Sequence, residues 1–171
     1  MPMPPAMMAL HDSVQETVQL GLPAGGQVVY VERFDAGSLP CEASGEWMRK
    51  VSGFASSSGR VLAAFDPEIA EATLALPRIR YTARTITDTV RLQQVLARAR
   101  ADGWVWTSEE RAVGLSSMSA PVFDAHGQVV AAVSIVGRTR SLTGTRGEFI
   151  LRNLVVSAKR ITQDFTAFGE G

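Results

Sequence analysis

Residues 53–65 read GFASSSGRVLAAF, three serines flanked by glycines and running into an alanine-rich apolar stretch. Hydroxyls crowded in this way could attack a carbonyl, cap a helix, or line the mouth of an anion site. Nucleophilic attack needs a base within hydrogen-bond reach of the serine. The chain has only His11, near its start, and His126, inside the turn sequence DAHG, and it has no G-x-S-x-G elbow. A phosphate loop fails too, because Gly53 and Gly59 are one residue too far apart and Arg60-Val61 follows. Helix capping accounts for one serine. Small residues around a helix start leave its first amides open to a ligand, and the helix dipole there favours negative charge. A carboxylate docked on the amides of Ser57 and Ser58 is therefore the functional reading of the run.

A second group of hydroxyls lies in LSSMSAPVF (115–123), the turn DAHG (124–127) and QVVAAVSIV (128–136). These segments alternate as two strands of a hairpin. If DAHG is a plain four-residue loop, Ser117 falls opposite Ser134 on one face, with Cβ atoms within about 5.5 Å. Val130, Ala132 and Val136 would share that face. The two hydroxyls then either satisfy each other or bind a ligand oxygen. A bulge at Gly127 would shift this register. Adjacent Glu109 and Glu110 offer a third possibility, an acid–base pair, although two carboxylates ahead of a strand more commonly anchor a loop.

These groups sit in an ordinary globular chain of 171 residues, long enough for one domain with its own core. Seventeen basic residues balance seventeen acidic ones, so there is no overall attraction to nucleic acid. The single cysteine, Cys41, excludes an internal disulfide and a multi-cysteine zinc site, and neither metal nor cofactor is expected. No apolar run reaches membrane-spanning length, and the opening MPMPPAMMAL lacks the features of a signal peptide. Cytoplasmic localisation is the default expectation.

The elements follow from periodicity. Met7, Leu10 and Val14 suit a short helix, and TVQLGL and QVVYVERF flank the turn PAGG as a hairpin. One further strand is expected near Pro40–Ala43. Helices are expected from the serine run to Phe65, from the Asp66-Pro67 start toward Pro77, and from a cap at Thr87 or Asp88 to Gly103. WVWTSEE starts as a strand, and a final helix runs from about Thr145. Paired strands between helices predict an α+β fold with an antiparallel sheet.

GFASSSGRVLAAFDPE, YTARTITD and RADGWVWTSEERAVGLSSMSAPVFDAHGQVVAAVSIVGRTRSLT together resemble the effector-binding domain of IclR-type transcriptional regulators. The resemblance implies a GAF-like antiparallel sheet flanked by helices on both sides, small effectors that are often carboxylates, and homodimers or tetramers. It assigns residues 10–171 to this domain and leaves 1–9 as a flexible arm. The family's winged helix-turn-helix has no room in this chain, so any DNA contact would be made by a separate domain. The effector carboxylate maps to Ser57 and Ser58, pocket polar positions map to Thr107, Ser117 and Ser134, and apolar walls map to Val51 and Ala43. Phe54 stands where the family often has histidine, Thr107 where it often has an acid, and Arg60 where it often has lysine. With Trp47, Phe54, Trp104, Trp106 and Met118 expected nearby, the ligand is a small organic acid or a larger aromatic metabolite. The alternatives are a stand-alone GAF-like binding or oligomerisation module, and less plausibly an enzyme using Glu109 or Glu110.

Overall fold

The computed structural model describes residues 5–37, 39 and 49–168. Alternating apolar residues in β1 (Thr17–Ala24) and β2 (Gln27–Phe34) form a hairpin turned by Gly25 and Gly26, both at positive φ. A short β3 (Lys50–Ser52) adds to the free edge of β2, while β4 (Val105–Ser108), β5 (Leu115–Phe123) and β6 (Val129–Arg138) complete the sheet. The six strands lie in the order β3-β2-β1-β6-β5-β4, all paired antiparallel. The strand expected near Pro40–Ala43 lies outside the described residues, and β3 had no signal strong enough to mark it.

Both faces of the sheet are covered. Val18, Leu20, Met118, Ala120, Val122, Val133 and Ile135 point to one face. There they meet α1 (Pro5–Val14) and the buried stripe Ile150, Leu154, Ala158 and Ile161 of α5 (Gly144–Phe168). α1 begins inside the stretch read as an arm, because Ala6 and Met7 are buried in this core. On the other face, α2 (Ser57–Phe65) packs through Val61 and Leu62 beside α3 (Pro67–Ala75) and α4 (Thr89–Asp102). The predicted caps are present. Asp66 accepts the amides of Glu68 and Ile69, Asp88 accepts that of Arg91, and Gly103 closes α4 in the left-handed conformation.

The last hairpin departs from the simple register. Phe123 faces Val129 rather than Gln128, and a bulge then leaves Val130 unpaired, so every pair beyond is displaced by two residues. Ser134 therefore sits opposite Ser119, and Ser117 opposite Val136. A displacement of two residues preserves the face, so Ser117, Ser119 and Ser134 all point toward α2. Val130 does not share that face; it packs against the α1–α5 core.

Candidate functional site

The entrance of α2 is built by close backbone contact. Gly53 donates its amide to the Gly26 carbonyl at 3.2 Å, and a Cβ on Gly59 would lie 2.2 Å from the Gly53 carbonyl oxygen. Only glycine fits such an approach. Ser56 is the N-cap, accepting the Gly59 amide at 3.1 Å. Ser57 and Ser58 open the helix, where the first amides have no intrahelical carbonyl to reach. Among the described residues no acceptor takes up either amide.

Their side chains face the sheet. Thr107 Oγ1 and Ser117 Oγ stand 2.7 Å apart, Ser117 and Ser57 2.7 Å, Ser57 and Ser119 2.7 Å, Ser119 and Ser58 3.2 Å, and Ser58 and the Tyr30 hydroxyl 3.0 Å. This is one continuous chain of six hydroxyls from β4 through α2 to β2. Each hydroxyl rotates and both donates and accepts, so the chain can re-pair around an incoming oxygen. Ser119 links Ser57 to Ser58 within it and is fully buried. The sequence register, set two residues away, hid it.

Beside this chain lies a cavity with about 40 Å³ open to water centres, room for roughly three waters. Val51, Thr107, Ser117 and Ser134 line it, together with Gln19, Tyr30, Ala55, Ser56 and Arg111. Ser57 and Ser58 stand behind this wall rather than in it, held by the bonds just described. Ser134 Oγ and Gln19 Nε2 are buried without a hydrogen-bond partner. The Tyr30 hydroxyl lies close enough to Ser134 for that side chain to favour the phenolate, yet the two do not meet in hydrogen-bond geometry. Burial dominates and pushes the Tyr30 pKa up. The Arg111 guanidinium stacks 3.9 Å from the Tyr81 ring centroid, and burial lowers its pKa.

Most of the other candidates fall elsewhere. Phe54 is buried below α2, its ring stacked on Tyr81 at 6.3 Å and its carbonyl accepting Arg60 Nε at 2.8 Å. Met118 and Trp106 belong to the opposite face, against the α1–α5 core, so they cannot wall this cavity. Trp104 does not line it either, and Ala43 and Trp47 lie outside the described residues. Glu110 does line the cavity, but its carboxylate is taken up by a buried bidentate pair with Arg60, at 2.6 and 2.7 Å, and by the Ile86 amide at 3.0 Å. Glu109 accepts the Gly114 amide and pairs with Arg84 at 3.0 Å. Both carboxylates thus anchor loops. His11 stacks on Phe34 on the far side of the sheet, and His126 stays in the hairpin turn, so neither meets a serine of the cluster.

A helix entrance packed over a hydroxyl-lined cavity in an antiparallel sheet describes a small-molecule-binding α+β domain. The chain belongs to the IclR family, since residues 2–163 match the model for the C-terminal region of the bacterial transcriptional regulator IclR. It is an effector-binding domain of that family. The HTH-type transcriptional regulator KdgR of Escherichia coli is 28% identical over 158 residues, 91% of this chain and 60% of the relative. The IclR structure from Thermotoga maritima superposes with a TM-score of 0.85 at 28% identity, covering 94% of this chain and 65% of that one. An IclR homologue from Microbacterium hydrocarbonoxydans complexed with 4-hydroxybenzoate gives 0.82 at 27% identity, with coverage of 94% and 65%. The chain spans about a third to three fifths of the length of the curated relatives it matches.

Proposed function

We propose that the cavity beneath α2 binds a small organic acid and that occupancy controls DNA binding by a separate winged helix-turn-helix domain. The ligand carboxylate docks on the Ser57 and Ser58 amides. Thr107 and Ser117 add hydroxyls to the carboxylate, Ser134 faces the rest of the ligand, and Val51 forms the apolar wall. The observation that carries this reading is the pair of uncommitted helix amides behind a buried, hydroxyl-lined cavity. Docking there needs the Ser57–Ser117 bond to open, which re-pairing along the hydroxyl chain permits. The relatives' names as transcriptional regulators, and the 4-hydroxybenzoate bound by one homologue, support a sensor over an enzyme. Signalling requires the acid to bind one state of a homodimer or tetramer better than another.

The test is a thermal-shift panel of short-chain and aromatic carboxylates against the purified chain. An acid present at a hundred times its Kd stabilises the folded state by about 2.7 kcal/mol. That shift should fall sharply in Ser117→Val, which removes a hydroxyl that the ligand oxygens would use. Equal shifts in the variant and the parent would refute this placement of the ligand.

A further inference from the structure

Gln19 was not marked by any motif, yet it holds an unusual position. It lies on β1, directly opposite Ser134 on β6, and each is about 1% exposed. Both side chains line the cavity, and neither Gln19 Nε2 nor Ser134 Oγ has a hydrogen-bond partner. Buried polar groups are nearly always paired, and an unmet donor in a core carries a standing cost. Two such groups side by side on neighbouring strands, facing one cavity, form a place where a missing oxygen belongs. The chemistry defines that oxygen. An amide N–H can only donate, and a hydroxyl can donate as well as accept, so the missing partner is an acceptor. Arg111, on the same wall, adds a positive charge nearby.

We infer that Gln19 and Ser134 form a second subsite, which selects effectors bearing an oxygen acceptor at the end away from the docked carboxylate. This rests on the reading of the cavity as an acid site. The effector class narrows accordingly to bifunctional acids, dicarboxylates or hydroxyaromatic acids, and monofunctional acids of equal size bind weakly.

Calorimetric titration of the full chain with two matched pairs tests this: propionate against malonate, and benzoate against 4-hydroxybenzoate. In the parent, the bifunctional member of at least one pair should bind on the order of tenfold more tightly. Gln19→Leu should erase that preference while leaving the monofunctional member's affinity unchanged. The same substitution should raise the Tm of the unliganded chain by several degrees, because it removes an unmet buried donor. A lower Tm would mark Gln19 as a structural residue and overturn the inference. So would equal affinity within both pairs, or a preference that survives both Gln19→Leu and Ser134→Ala; in these cases the acid site itself stands. Binding of none of the four acids would remove the acid site and the inference together.

Discussion

Replacing Glu110 by alanine isolates the interaction that holds the site's floor to its surroundings. Arg60, on α2, is 2% exposed and donates three bonds at 2.6–2.8 Å: two to Glu110 and one to the Phe54 carbonyl. Glu110 also takes the Ile86 amide, and its own carbonyl accepts Thr85 Oγ1 at 2.6 Å. The pair therefore ties α2 to the loop before α4 and to the β4–β5 connection. Removing the carboxylate leaves a guanidinium out of water with two of its bonds broken. Breaking a buried pair in this way costs about 3–5 kcal/mol. In a domain of this size each kcal/mol moves Tm by about 2–4 °C, so the midpoint should fall by roughly 6–20 °C. Removing both partners together, as Arg60→Met with Glu110→Ala, deletes the buried charge along with its mate and should cost well under the sum of the two single changes. Urea denaturation, read as Cm with an unchanged m, measures all four corners of the cycle. The reasoning is refuted if Glu110→Ala costs less than about 1 kcal/mol, the range of an exposed pair, or if the two single costs simply add.

Two other consequences can be checked directly. Gly59→Ala brings a Cβ within 2.2 Å of the Gly53 carbonyl oxygen, and both are backbone positions that cannot step aside. Overpacking at about 1–3 kcal/mol or more should follow, and calorimetry should show a lower Tm despite alanine's better helix propensity. Tyr30 has a raised pKa because burial disfavours its phenolate. Its contribution to stability is thus complete below the ordinary tyrosine value of 10.0 and is lost as pH rises through the higher folded value. Only two tyrosines exist, so in Tyr81→Phe the phenolate absorbance reports Tyr30 alone. Its midpoint should lie above the ordinary tyrosine value; a midpoint at or below that value would contradict its burial.

The parts of the fold that follow from local rules were readable in the chain. Asp66-Pro67, Asp88 and Gly103 mark helix ends because their side chains or backbone freedom act within a turn of where they stand. The apolar alternation of β1, β5 and β6 identifies the sheet for the same reason. What depended on distant contacts was not readable. The turn pairs Phe123 with Val129 rather than Gln128, the bulge at Val130 adds a second step, and together they move the partner of Ser134 from Ser117 to Ser119. Period-two geometry kept the correct face all the same, so Ser117 and Ser134 do line one cavity. Gln19 looked like an ordinary polar residue of a half-exposed strand. Its burial depends on α2 closing over that face, which no local pattern encodes. Trp106 and Met118 misled for the converse reason, since side-chain size says nothing about which face of the sheet a residue occupies.

The most direct measurement is a crystal structure of the chain with whichever carboxylate gives the largest thermal shift. The account predicts both carboxylate oxygens at about 3 Å from the Ser57 and Ser58 amide nitrogens, with the Ser57–Ser117 hydroxyl bond opened. An acid bound elsewhere, with that bond intact, would contradict it.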